Sequence, residues 1–496
     1  MHELLLTGEN LKIEDVVRVA RPPYLKVNLA QNARNRIKES HKRLKNLLKS
    51  KDPIYGLNTG VGSLLTARIP QDKLEDLQKN LVLSHAAGVG EYLPEEVVRA
   101  AVLLRINTFA KGYSGVREEV IDLLIELLNK RITPLVPSYG SVGASGDLAP
   151  LAHIANVIAD TGVDSYVLYN GKKESGDEVF RKLGLKRIKL APKEGLALTN
   201  GTQISTSIAT LSIYDANKLL NNAINVAALT LQALCANPTP CCEELQRVRP
   251  HKGQSKIAKK LSELLKNSKL VSSSLVQDAY SLRCIPVVYG SVLDTIEFVR
   301  QVVEIECNSA TDNPLIFEEK AYSGCNFHGQ PIAFCMDYLG IAITTLGVMS
   351  ERRIARLLDR HLNKGLPPFL ASDPGIESGL MLLQYTAASL VAENRILCSP
   401  ASVQSIPTCE NQEDFVSMSH EAGLKLRKIL ENTNYIFAIE AICAMQAVRL
   451  RQGEDKLSPQ TYEFYKNLQN KVALIEKDRP LSEDVEKIKN LFQELE

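Results

Sequence analysis

Residues Tyr139–Leu151, YGSVGASGDLAPL, decide how the rest of the chain is read. Gly140, Gly143 and Gly146 recur at three-residue intervals around the tripeptide Ala144-Ser145-Gly146, a composition that suits neither a helix nor a strand interior. Glycine serves where the backbone takes positive φ or approaches another group closely, so the plain reading is a tight loop. Two familiar glycine motifs do not fit. A phosphate cradle needs Gly-Lys-Ser/Thr in a strand-loop-helix unit, and none surrounds this stretch. A hydrolase elbow needs Gly-x-Ser-x-Gly, whereas Gly146 follows Ser145 directly.

Working outward, 496 residues predict roughly two to four domains and a large core. The net charge is +2, from 59 basic and 57 acidic side chains, which offers no footprint for nucleic acid or an anionic membrane. A small molecule or another protein chain is the expected partner. The opening MHELLLTGENLKIEDVVRVA lacks the basic, apolar and small-residue regions of a secretory signal, and no run approaches the roughly 20 apolar residues that span a bilayer. Ten cysteines without a Cys-x-x-Cys pair read as reduced, mostly buried thiols, so a cytoplasmic location is expected. Histidine and cysteine spacing predicts no metal site, for there is no His-Glu-x-x-His.

Helical periodicity covers 14–20, 32–48, 74–85, 95–109 and 116–130, broken by the glycine-rich YGLNTGVGSL that begins at Tyr55. Between Tyr166 and Lys189, β-prone runs flank Asn170-Gly171, which predicts a hairpin and a small sheet beside the signature loop. Beyond Gly201 the pattern is long apolar helices, over 204–236, 290–309, 332–362 and 375–398, with another beginning near Met418. Helices of that length and apolarity bury more than one stripe and predict a central bundle with subunit interfaces. The expected division is residues 1–200, 201–455 and a charged tail from 456, read as solvated helices.

Several strings carry candidate chemistry. Asn200, in EGLALTNGTQ, precedes a long helix and on its own reads as a cap. In VQDAYSLRC, Gln277, Tyr280 and Arg283 are spaced by threes, which on a helical turn brings them to one face; the planar fork of Arg283 matches a carboxylate. His85 closes a helical run, and its ring nitrogens can each donate or accept a hydrogen bond. Glu413, in ENQEDFVSM, is expensive to bury unless paired, a cost that a cationic or hydrogen-bonding partner offsets and an apolar one does not. Tyr55, Asn313 and Phe327 each read alone as structural residues.

Taken together these strings resemble, in family order from Tyr55 to Met418, the aromatic amino acid ammonia-lyases and aminomutases. The resemblance implies that Ala144-Ser145-Gly146 cyclises into 4-methylidene-imidazole-5-one, an electrophile that no unmodified side chain provides, with no external cofactor and no metal. It implies a mainly α, fumarase/aspartase-like long helical bundle, with an N-terminal helical domain carrying the Ala-Ser-Gly loop and a small β element. It implies a homotetramer whose active sites are shared between subunits.

Its catalytic tyrosine falls on Tyr55 as the base, with Ser145 and Glu413 as the other catalytic positions. Asn200, Gln277, Tyr280 and Arg283 hold the prosthetic group and substrate, Phe327 lines the pocket, and His85 with Glu413 faces the substrate ring. Phenylalanine- and tyrosine-acting members read Asn-Gln-Asp without the intervening glutamate, so Glu413 points to L-histidine, converted to trans-urocanate and ammonia. Phe415, where histidine-acting members commonly have histidine, and Ile285, where many have glutamine, depart from that pattern. A tyrosine ammonia-lyase or an aromatic amino acid 2,3-aminomutase is the alternative, and an inactive helical scaffold the remote one.

Overall fold

The run from Glu95, with Pro94 ahead of it and two glutamates in its first turn, forms the helix Glu95–Ala110; acidic side chains there are favoured by the positive end of the helix dipole. In the computed structural model, which describes residues 3–49, 52–272, 276–318 and 320–495, every residue of that helix from Val97 onward is buried. Arg99 and Arg105 are buried with the rest. Arg99 donates to the carbonyls of Val19 and Leu128 and lies 4.1 Å over the Tyr24 ring.

The chain forms two compact units, each assembled from separate segments. The first comprises Met1–Tyr214, Arg300–Asp337 and Pro400–Leu424, and the second Asp215–Val299, Tyr338–Ser399 and Lys425–Glu496. These boundaries differ from divisions at 200 and 455 because the helices Gln203–Ala233, Ile285–Cys307 and Gln330–Leu358 each begin in one unit and end in the other.

In the first unit, Leu74–His85, Leu148–Ile158 and Glu194–Thr199 are three short helices that pack on one another, the second beginning within the signature stretch. The hairpin forms as read. Tyr166–Tyr169 pairs antiparallel with Lys172–Ser175 through Asn170 and Gly171, at φ 49° and 74°, the left-handed pair that a two-residue turn demands. Ile132–Pro134 adds a third strand. The strand that leads into the loop is a different one: Pro137–Tyr139 pairs with Val89–Tyr92, a short ladder that the sequence pattern does not announce.

In the second unit, Gly340 and Gly347 on Gln330–Leu358 leave room for Ile429 and Ile436 of Ser419–Leu450, so the helices approach closely. Gln330–Leu358 is long and apolar enough to cross a membrane, contrary to the expectation that no run is; 67% of its apolar window is buried within the protein. Arg353, wholly buried, donates to both carboxylate oxygens of Glu440 at 2.6 and 2.7 Å and to the Tyr289 hydroxyl. Ser350 and Thr230 donate to the same carboxylate, supplying the hydrogen bonds without which a buried ion pair is costly. The tail is less solvated than its charge suggests. Pro459–Lys471 and Ser482–Glu494 pack together, burying Tyr465, Ile488 and Leu491, and the Phe464 and Phe492 rings stack at 6.4 Å.

Candidate active site

The loop after Tyr139 is clamped from two sides within the first unit. On one side Gly146 bridges Gly201: the Gly201 N–H donates to the Ser145 carbonyl, and the Asp147 N–H to the Gly201 carbonyl at 2.7 Å. On the other, Ser417 donates to the Gly143 carbonyl at 3.1 Å and the Met418 N–H to that of Val142 at 2.9 Å. Gly143 and Gly146 both adopt left-handed φ, 69° and 72°, and a β-carbon would collide with Ser417 Oγ at the first and the Gly201 carbonyl at the second. These two glycines are dictated by space as well as by torsion.

Ala144 and Gly146 are buried, and Ser145 between them is half-buried with its hydroxyl engaged. Ser145 Oγ donates to Glu413 Oε1 at 2.8 Å across 268 residues of sequence. Thr408 Oγ1 donates to the other oxygen, Oε2, also at 2.8 Å, and Thr408 and Glu413 bridge through their backbones. Between them Cys409, Glu410 and Asn411 all have positive φ, 51°, 53° and 63°, an unusual run for residues other than glycine. A tripeptide flanked and closed by left-handed glycines, Gly143 and Gly146, with its serine hydroxyl held, fits the cyclised group that the sequence implies.

Tyr55, in the same unit, is half-buried, its hydroxyl accepting the Gly62 N–H at 2.8 Å. Burial pushes its phenol above the ordinary value; the Gly62 N–H opposes this, and the Glu413 and Cys409 charges add to it. This direction is opposite to the one that a ready base requires. His85 ends Leu74–His85 with Nδ1 3.1 Å from Ser84 Oγ. Burial lowers its pKa, against the Leu81 carbonyl and Glu413, which raise it. The ring is therefore neutral at pH 7, able to donate from one nitrogen and accept at the other.

Asn200 is buried at the end of Glu194–Thr199, and its Oδ1 has no hydrogen-bond partner. An orphaned buried acceptor costs about 1–3 kcal/mol, and an Oδ1 without a partner is not the helix cap that the sequence alone suggests. Arg105 fixes it by donating to the Ala197 and Asn200 carbonyls, both at 2.9 Å, and to Gln203 Oε1. Burial depresses the Arg105 guanidinium to about 10. Asn313 is buried before a cis bond to Pro314 and accepts the Gly324 N–H at 2.8 Å, holding the turn that carries half-buried Phe327.

Gln277, Tyr280 and Arg283 belong to the second unit, apart in chain grouping from Ser145 and Glu413. Only Tyr280–Arg283 is helical, so Gln277 lies outside the single turn and the expected three-residue helical face does not form. Tyr280 is 71% exposed, and the Arg283 guanidinium lies 4.6 Å over its ring with Nε unpartnered.

Three supporting residues escaped sequence reasoning. Asp147 is wholly buried and accepts from Ser141 Oγ, Ser205 N and Ser205 Oγ at 2.7–2.9 Å, tying the loop to the start of Gln203–Ala233. Arg105 had a signal, a cation set, like Arg99, in an otherwise apolar run. Thr408 had none, because its importance comes only from what lies opposite.

The chain is similar to known proteins over nearly its whole length. The model of the aromatic amino acid lyase family matches residues 11–470. The chain is 46% identical over 490 residues to a histidine ammonia-lyase from Caldanaerobacter subterraneus, covering 98% of this chain and 95% of that one. Among solved structures, a tyrosine aminomutase from Streptomyces globisporus superposes with a TM-score of 0.95 at 38% identity, over 99% of this chain and 97% of that one. A histidine ammonia-lyase from Trypanosoma cruzi superposes at 0.91 with 35% identity, over 99% and 93%. The mainly helical fold implied by the sequence is the one these structures share, and the chain belongs to the aromatic amino acid lyase family.

Proposed function

We propose that this chain is a carbon–nitrogen lyase that deaminates L-histidine to trans-urocanate and ammonia, the first step of histidine degradation, at the Ala144-Ser145-Gly146 loop. The observation that carries the reading is Glu413 against Ser145, 268 residues apart in sequence and 2.8 Å apart in space. A carboxylate there suits an imidazole better than a phenyl ring, and histidine ammonia-lyases stand among the relatives at 46% identity over nearly the whole chain.

The 4-methylidene-imidazole-5-one formed from Ala144, Ser145 and Gly146 supplies the electrophile that makes loss of ammonia feasible. The chain's own residues do the rest. Neutral His85 and Glu413 orient the substrate ring, Asn200 offers its free Oδ1 as an acceptor, and Tyr55 removes the β-proton. Because burial raises the Tyr55 pKa, its anion needs a cationic neighbour or alkaline pH. Arg283 clamps the carboxylate, Gln277 and Tyr280 contribute beside it, and Phe327 lines the pocket. Gln277, Tyr280 and Arg283, which lie in the second unit, join from neighbouring subunits of a homotetramer, a reading supported by exposed apolar side chains such as Phe298, Tyr338, Leu382 and Tyr385. The ten free thiols suit a cytoplasmic location.

The rival within the family is action on tyrosine, as a lyase or an aminomutase. Phe415 favours it: the ring stacks on His328 at 6.0 Å and brings apolar surface where a polar residue was expected. Incubation with histidine, tyrosine and phenylalanine in turn decides the matter. Urocanate from histidine, absent with Ser145→Ala, is the expected result; consumption of tyrosine in place of histidine refutes the assignment.

A further inference from the structure

Glu413 faces Ser145 while that residue still bears its hydroxyl, the group that must leave when the prosthetic group is made. We propose that Glu413 acts first as the proton carrier for that departure, before any substrate binds; the inference rests on the reading that Ala144-Ser145-Gly146 cyclises. Two waters are lost in that reading. One takes the Ala144 carbonyl oxygen with the amide hydrogens of Gly146 and Ser145, as the Gly146 nitrogen bonds to the Ala144 carbonyl carbon. The other takes the Ser145 hydroxyl with the hydrogen on its α-carbon, as the Cα–H and Cβ–Oγ bonds break and the Cα=Cβ bond forms.

The second loss needs a base for the Cα proton and an acid for the departing oxygen, and no net proton enters or leaves. One carboxylate that takes the first and returns it to the second closes that balance and ends as it began. Glu413 is placed for this. Its Oε1 lies 2.8 Å from Ser145 Oγ, and the α-carbon is only two covalent bonds from that oxygen. Its Oε2 is fixed by Thr408 Oγ1 at 2.8 Å, so the carboxylate cannot swing away. The Thr408–Glu413 turn holds three consecutive non-glycine residues at positive φ, and strain retained in a folded chain marks a position that the surroundings enforce. Among the hydrogen-bonding groups described at the Ser145 hydroxyl, Glu413 is the titratable one.

Intact-mass measurement of the full chain, sampled soon after synthesis and again after a day, tests this without reference to activity. The unaltered protein is expected to be two waters lighter than its sequence, and Ser145→Ala to show no such loss. Glu413→Gln keeps a hydrogen-bond acceptor but cannot carry the proton. It is expected to retain the Ser145 oxygen at the early time, with processing slowed by about 100-fold or more, and Glu413→Asp to recover part of the rate. Full loss of both waters from Glu413→Gln at the early time overturns the proposal. An unaltered protein at its full sequence mass instead refutes the reading of the tripeptide itself. Should Glu413→Gln fail to fold by circular dichroism, Thr408→Val decides: slowed water loss supports the role, and processing at the unaltered rate overturns it.

Discussion

Tyr55 is the residue whose surroundings make the sharpest demand on the mechanism. Its phenol is held above the ordinary value near 10 by burial, so at neutral pH the basic form is scarce and grows tenfold with each pH unit. Activity should therefore climb on the alkaline side, and Tyr55→Phe should lower kcat by about 10²–10⁴-fold, the usual worth of a positioned base. A pH–rate profile of both proteins checks it: a flat alkaline limb in the unaltered enzyme, or full activity in Tyr55→Phe, removes Tyr55 from that role. Cys409 adds to the same environment. Its Sγ accepts the Ser63 N–H at 3.3 Å, beside the Gly62 amide that holds the phenol.

At the scale of elements, the signature loop is defined by its clamps more than by its own composition. Gly143 sits at φ 69° against Ser417 and Ser419, and alanine there meets both the torsional penalty and a collision. Gly143→Ala should cost roughly 1–3 kcal/mol and leave the tripeptide unprocessed. Thermal unfolding and intact mass measure the two effects separately. The C-terminal helices make a second case. Phe492, 1% exposed and stacked on Phe464, is core in spite of its charged neighbours. Phe492→Ala should destabilise by about 3–5 kcal/mol, and a loss below 1 kcal/mol in denaturant unfolding would return the tail to a solvated role.

For the whole molecule, acid is the vulnerable side. Burial lowers the pKa of His85 and of His153, whose Nε2 lies 3.1 Å from the Gly88 N–H and accepts from it. The unfolded chain therefore takes up protons near pH 6.5 that the folded chain resists. The share of stability contributed by these two histidines is complete above that value and is lost as pH falls below it, which melting curves from pH 8 to 5 should record. His153→Gln keeps an acceptor without the titration and should flatten part of the slope.

The sequence by itself determined the longest helices, the hairpin turn and the family, because apolar periodicity, Asn170-Gly171 and the ordered strings are local properties that need no partner, whereas shorter helices such as Leu148–Ile158 and Glu194–Thr199 were not legible. It also named Ser145, Glu413 and Tyr55. What only the tertiary structure decided is which atoms meet. Glu413 reaches Ser145, Asp147 ties the loop to Ser205, Arg105 holds Asn200, and the charged tail hides Phe492. Such pairs join segments tens to hundreds of residues apart, and nothing in the period or composition of either segment encodes the other; only the packing of the folded core brings them within hydrogen-bond reach.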